Sequence, residues 1–281
     1  RLYPITNVIS KQLLPIYDKP MIYYPLSILM LAGIKEIAIV VSPSNLKDYQ
    51  KLLGDGSKLG IFIKFFIQNK PDGLPEALNI TESFIKNHKV CMILGDNIFY
   101  GSNFVNEYLK KELKKKGSSI FLYSVQDPSR FGIAEIDKNN QIKKIIEKPK
   151  KPKSNLAITG LYIFDERVTL FSRNLKLSKR GETEIVDLLR IYHKNNELNF
   201  RILNRGIAWI DTGTPESLIN ASQYIEIIEK RQNTKIACIE EISLRMNFID
   251  KKRYLTLIKS YNKSPYKNYL KSILNKWIRE A

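Results

Sequence analysis

The chain has 281 residues, 43% of them hydrophobic and 26% charged, enough length and apolar content to bury a substantial core and to exclude wholesale disorder. Its net charge of +18 invites a nucleic-acid reading, but the excess lysine is scattered, and no zinc-ligand spacing, RNA-binding aromatic motif or basic heptad helix accompanies it. No nucleic-acid partner is therefore expected, and the lysine runs at 110–116 and 148–153 read as solvated faces and loops. The longest apolar run, 21–32, is short and interrupted by Pro25 and Ser27, and no secretory signal is visible, so no membrane partner is expected. Cys91 and Cys238 lie far apart, and Cys91 sits in the apolar VCMIL, which suits a buried free thiol and a cytoplasmic location.

A charged loop carrying Arg1, Lys11 and Gln12 opens the chain and passes at Pro20 into an apolar helix closed by Gly33. EIAIVV (36–41) reads as a strand, followed by a helix capped at Ser42-Pro43 and ending near Gly54. IFIKFFIQ (61–68) is a strand, 74–86 a helix, and VCMIL (90–94) a strand buried on both faces. A helix around 103–115 leads to SIFLYSV (119–125). This alternation predicts an α/β, Rossmann-like, mostly parallel mixed sheet flanked by helices. GIAEIDKNNQIKKIIEKP then predicts a hairpin turning at Asp137–Asn140, and LAITGLYIFD (156–165) a strand. Helices follow at 165–173 and 184–194, then two late strands around Gly206. From Thr214 on the pattern is helical. The expected organisation is a catalytic domain at 1–213 with a helical extension at 214–281.

Asp96, in LGDN, falls just past the end of an apolar strand, where open α/β sheets bind ligands, and Asp211, in AWIDTGT, ends a late strand. Either aspartate alone would equally suit a turn or helix cap. Brought together, with Gly95 and Gly213 beside them, they suit Mg²⁺, which takes a couple of carboxylates plus substrate phosphates. Glu147-Lys148-Pro149 can aim a carboxylate at hydroxyls and a cation at a phosphate, though such a dipeptide is also an ordinary surface ion pair. In QNKPDGLPEAL, Gln68 offers an amide able to read a pyrimidine edge, and Gly73 a backbone that a base can approach; a polar turn before a helix is the plainer reading.

Taken together, RLYPITNVISKQLLPIYDKPMIYYPLSILMLAGI, NKPDGL, LGDNIFYG, EKP, ITGLYIFD, KRGETEIVD and RGIAWIDTGTPESL resemble the bacterial glucose-1-phosphate thymidylyltransferases, within the sugar-1-phosphate nucleotidylyltransferases. KQLLP sets the chain apart from uridylyl-transferring relatives, which usually carry KEMLP. The resemblance implies a nucleotidyltransferase or glycosyltransferase-A-like fold, with dTTP and glucose 1-phosphate as substrates and Mg²⁺ as cofactor. It further implies a homotetramer regulated by dTDP-rhamnose. Arg1 is similar to the last residue of the family's GGxGTR loop, Lys11 to a phosphate-contacting lysine, and Gln12 to its neighbour in the nucleotide site. Gln68 and Gly73 match the thymine-reading pair, Asp96 and Asp211 the metal carboxylates, and Arg180 an arginine near the nucleotide phosphates. Gly132, Glu147, Lys148 and Thr159 fall on the sugar-phosphate side, as does Trp209, beside the metal. The catalytic cations implied are Arg1, Lys11 and Lys148.

Departures are also visible. The family's first strand and glycine loop would precede Arg1, and a chain lacking them is expected to be crippled; a truncated record is the expected cause. Phe131 stands where tyrosine is usual, and Pro75-Glu76 where Ala-Gln is usual, which leaves sugar and base preference open. The alternatives are a transferase using UTP or another sugar phosphate, and a non-catalytic sensor of sugar nucleotides.

Overall fold

The computed structural model describes residues 2–178 and 180–280, with side-chain surroundings given through residue 274. In chain order its strands are β1 (Pro15–Ile16), β2 (Lys19–Pro20), β3 (Glu36–Val41), β4 (Phe62–Ile67), β5 (Val90–Ile93), β6 (Asn97–Tyr100), β7 (Ser118–Ser124), β8 (Gly132–Ile136), β9 (Ile142–Glu147), β10 (Leu156–Phe164), β11 (Leu198–Ile202) and β12 (Ala208–Asp211). Its helices are α1 (Tyr23–Leu31), α2 (Leu46–Leu53), α3 (Leu74–Ile80), α4 (Glu82–Ile85), α5 (Lys110–Glu112), α6 (Val168–Arg173), α7 (Ile185–Lys194), α8 (Pro215–Gln232), α9 (Ile239–Arg245), α10 (Lys251–Lys259) and α11 (Pro265–Glu280). The chain divides into two compact units. One comprises Arg1–Ile39, Asn45–Phe65 and Thr214–Ala281; the other comprises Val40–Ser44 and Phe66–Gly213.

The second unit holds the main sheet, in the order β11-β7-β10-β8-β9, with β5 also on β10. The sheet is mixed and flanked by helices, as expected, but its parallel share is small. β10 pairs antiparallel with β5, β7 and β8, β8 with β9, and only β11 with β7 is parallel. The reason is an insertion. The long β10 lies between β5 and β7 and opposes both, so two strands that run the same way are separated. Periodicity identifies strands; it carries no information about a partner arriving from sixty residues downstream. The second expectation to fail is full burial of 90–94, for β5 is half-buried along its length.

Helix α7 covers this sheet because Ile185, Val186, Leu188, Leu189 and Tyr192 recur at helical spacing and are all buried. They join Ile120, Leu122, Ala134, Ile145, Ile158 and Phe164 in one core. The expected helix at 74–86 breaks at Thr81, whose Oγ1 donates to Ala77 O at 2.7 Å. The β8–β9 turn is fixed by Asp137, whose Oδ1 accepts from the N–H groups of Asn139 (2.8 Å) and Gln141 (3.0 Å).

In the first unit α1 is apolar all round and correspondingly buried all round, packing on α9. Its entry is anchored by an ion cluster. Lys19, 2% exposed, donates to Glu229 of α8 at 2.7 Å and to Asp18, while Lys235 pairs with both carboxylates. Burial works to raise the Asp18 carboxyl, but hydrogen bonds and charge from Lys19 and Lys235 hold it below the usual range. α8 itself starts with a capping box between Thr214 and Ser217.

Candidate active site

The site is assembled where strands of the second unit end. Asp96 follows β5, and Asn97 opens β6, which runs antiparallel to β12 with Asn97 opposite Asp211. That register brings Asp96 and Asp211 to one edge. It is locked by Thr212, which donates to Asp96 O through its N–H (3.1 Å) and its Oγ1 (2.8 Å). Asn97, 2% exposed, is the hub: its Nδ2 donates to Asp96 Oδ1 at 2.9 Å, and its Oδ1 accepts from Trp209 Nε1 (2.6 Å) and Gly160 N (3.1 Å). Every polar atom of that amide works to hold a strand end, an indole and the site carboxylate in one place. Gly213 leaves the flank open, since a Cβ there would lie 2.9 Å from Asp211 Oδ2.

A second cluster lies along the β8–β9 edge. Gly132 pairs with Glu147, and a Cβ on Gly132 would stand 3.3 Å from Glu147 Oε2, so the residue must be small for the carboxylate to lie across it. Lys148 adopts φ +39, in the left-handed region, and its N–H donates to Phe131 O at 3.1 Å. For a side chain with a Cβ that conformation costs about 1–2 kcal/mol. The Lys148 ammonium is 3.4 Å from Glu147 Oε1. Arg180 reaches the same group, 3.7 Å from Glu147 Oε1, but its strong partner is Glu184, gripped by Nε (3.0 Å) and Nη2 (2.7 Å). Burial works to raise the Glu184 carboxyl, yet hydrogen bonds from Arg180 and Ser178, with the Arg180 and Lys148 charges, hold it below the usual range. Thr159 is fully buried on β10, and its Oγ1 has no hydrogen-bond partner.

The two clusters meet through aromatics. The Phe131 ring stands edge-on to Trp209, with centroids 5.2 Å apart, and Tyr123 does likewise at 5.8 Å. Tyr162 on β10 is buried, and its phenol is pushed up by that burial and by the nearby Glu147 and Asp96 charges. One tyrosine therefore senses both carboxylates.

Gly73 is tied to the Arg180 loop. It bridges Thr183, whose N–H and Oγ1 both donate to Asp72 O at 2.9 Å, and its φ of +108 with Thr183 O 2.1 Å from any Cβ admits only glycine. Gln68 is fixed by its backbone N–H on Val41 O (2.9 Å), and no described contact joins it to the Asp96 cluster. Lys11 and Gln12 belong to the first unit, in a short 3₁₀ turn. There Gln12 Oε1 accepts from Ser10 Oγ (2.9 Å) and Tyr49 OH (3.2 Å). Arg1 lies outside the described residues. Pro75 and Glu76 sit in the first turn of α3, where proline lacks no needed donor, and Glu76 accepts from Asn79 at 3.0 Å.

Sequence reasoning missed Asn97, Arg130, Tyr162 and Glu184. LGDN and KRGETE contain two of them, but an amide or carboxylate that acts by holding a neighbour leaves no spacing signature. The donor set fits a hard divalent cation: two carboxylates at one edge of the strands. Among the described residues no group of three or more His, Cys, Asp or Glu forms a metal cluster, so substrate oxygens would have to complete the coordination.

Two strand-end aspartates, a Glu-Lys pair and Arg180 are the kinds of group that anionic, phosphate-bearing substrates require. The chain belongs to the nucleotidyl transferase family, whose model matches residues 1–227, and it is a nucleotidyltransferase. It is 49% identical over 276 residues to the glucose-1-phosphate thymidylyltransferase of Neisseria gonorrhoeae, an alignment covering 98% of this chain and 96% of that protein. It is 43% identical to that of Mycobacterium tuberculosis strain H37Rv, with the same coverages. Among solved structures, a Bacillus anthracis protein described as a glucose-1-phosphate thymidylyltransferase, in complex with sucrose, superposes with a TM-score of 0.73 at 38% identity, covering 79% of this chain and 89% of that one. A UDP-glucose pyrophosphorylase complexed with UDP-glucose superposes at 0.68 and 27% identity, covering 81% and 94%.

Proposed function

We propose that the protein transfers a thymidylyl group from dTTP to α-D-glucose 1-phosphate, giving dTDP-glucose and pyrophosphate. The observation that carries the reading is the β6–β12 register, with Asn97 opposite Asp211 and Asp96 fastened beside it by Thr212, in a chain so similar to thymidylyltransferases. A phosphate oxygen of glucose 1-phosphate attacks the α-phosphorus of dTTP in line, and pyrophosphate leaves with the electron pair of the broken P–O bond. The nucleophile is already an anion, so no general base is required. What this chain supplies is position and counter-charge. Lys148, Glu147, Gly132 and Thr159 take the sugar phosphate, Lys148 at the phosphate and Glu147 at hydroxyls, with Trp209 as the apolar wall. Lys11, Gln12, Arg1 and Arg180 take the triphosphate, and Gln68 and Gly73 the thymine. Asp96 and Asp211 would hold Mg²⁺, which supplies charge neutralisation at the reacting phosphate when bound. A cytoplasmic homotetramer, as the family resemblance implies, completes the reading.

The test is pyrophosphate release from dTTP, UTP, CTP and GTP with glucose 1-phosphate, alongside Asp96→Asn. Turnover with dTTP that falls about 10²–10³-fold in the variant, as loss of one electrostatic group typically gives, supports the reading. Preference for UTP would replace it with the uridylyl reaction, and no pyrophosphate despite sugar-nucleotide binding would replace it with a sensor.

A further inference from the structure

Arg130 has a part that the reading above does not use. It closes the turn Pro128–Arg130, just before β8, and its guanidinium carbon lies 5.5 Å from the Phe131 ring centroid. The ring braces it, and that ring is itself braced on Trp209. So supported, Nη2 sits 3.6 Å from Asp211 Oδ2, beyond hydrogen-bond distance, and it is buried with no hydrogen-bond acceptor. A buried cationic N–H left without an acceptor is costly. Here it faces the carboxylate at which a divalent cation would add a second positive charge.

We propose that Arg130 is the resident counter-charge of Asp211 and sets metal affinity: it opposes a divalent cation at the Asp96–Asp211 pair until substrate phosphates bring enough negative charge to hold both cations. The inference rests on the assignment of those aspartates as metal ligands. Its physical content is a Coulomb repulsion. A guanidinium about 5 Å from a divalent cation weakens its binding roughly 15-fold even at the dielectric of bulk water, and more at the lower effective dielectric beside protein. Nucleotide phosphates would offset that repulsion and could accept the unused N–H. The free protein would then take up little metal, and the ion would enter with the nucleotide.

The test is Mn²⁺ binding to the nucleotide-free full chain, followed by electron paramagnetic resonance, with Arg130→Met, Arg130→Lys and Asp211→Asn; circular dichroism verifies folding. The expected result is tighter Mn²⁺ binding by Arg130→Met, by roughly 15-fold or more. Arg130→Lys, which keeps the charge, should stay within a few-fold of wild type, and Asp211→Asn should bind least. Unchanged or weaker binding by Arg130→Met overturns the proposal while leaving the metal assignment standing. Asp211→Asn binding as tightly as wild type overturns both. If Arg130→Met and Arg130→Lys tighten binding equally, charge is not the cause and the proposal falls.

Discussion

Replacing Asn97 probes the element on which the site geometry turns. Asn97→Ala removes the acceptor of Trp209 Nε1 and of Gly160 N, both in buried surroundings, as well as the donor to Asp96. Each stranded buried N–H costs about 1–3 kcal/mol, so the expected loss is about 2–6 kcal/mol, reduced where water enters the vacated space. That is a large fraction of the ~5–15 kcal/mol by which folded proteins are stable. Asn97→Asp provides the contrast. It keeps the shape and the acceptor oxygen, so most of the stability survives, but it sets a second carboxylate against Asp96 where a donor stood. The two variants should therefore part company: alanine unfolds at lower urea, and aspartate folds nearly as wild type yet loses most turnover. Urea denaturation followed by circular dichroism, with pyrophosphate release on the same samples, measures both. An alanine variant within 1 kcal/mol of wild type would refute the claim that this amide holds the strand ends together.

Three further outcomes are expected. Gly73→Ala must displace Thr183 O from 2.1 Å and adopt a φ near +108, so it should destabilise the loop bearing Arg180 by at least ~1–3 kcal/mol, read as faster proteolytic cutting between residues 174 and 183. Lys19→Met strands Asp18 and Glu229 around Lys235 alone and should cost about 3–5 kcal/mol in denaturant midpoint, whereas a surface lysine such as Lys138 should cost nothing measurable. Asp18 and Glu184 are held below the usual carboxylate range, so their stabilisation is complete above about pH 5 and lost as pH falls through their lowered folded values. Urea midpoints should be flat from pH 7 to 5 and fall toward pH 3; equal midpoints at 5 and 3 would contradict those pairings.

Much of this was legible in the residues. The EIAIVV strand, the GIAEI/IKKIIE hairpin with its Asp137 turn and the apolar helix before Gly33 are read from local pattern, because alternation and punctuation are local causes. Asp96 and Asp211 were visible as strand-end carboxylates, and their adjacency follows from the β6–β12 register that no local pattern states. What stayed hidden is what depends on distant partners. β10 splits β5 from β7, so the mixed sheet, expected to be mostly parallel, is mostly antiparallel. Asn97 and Glu184 act by gripping a neighbouring side chain, and no local pattern marks Arg130 as standing against Asp211.

The first unit is discontinuous, its opening segments sharing a core with helices from the far end of the chain. During synthesis, therefore, the Lys19 ammonium emerges long before Glu229, its buried partner on α8. At about 5–20 residues per second, the wait is on the order of ten seconds. Through that interval the turn bearing Lys19, and the apolar α1 behind it, must stay solvated or shielded by a chaperone, while 66–213 can settle around its own sheet. A ribosome that stalls late thus leaves behind a finished second unit and an unfinished first one.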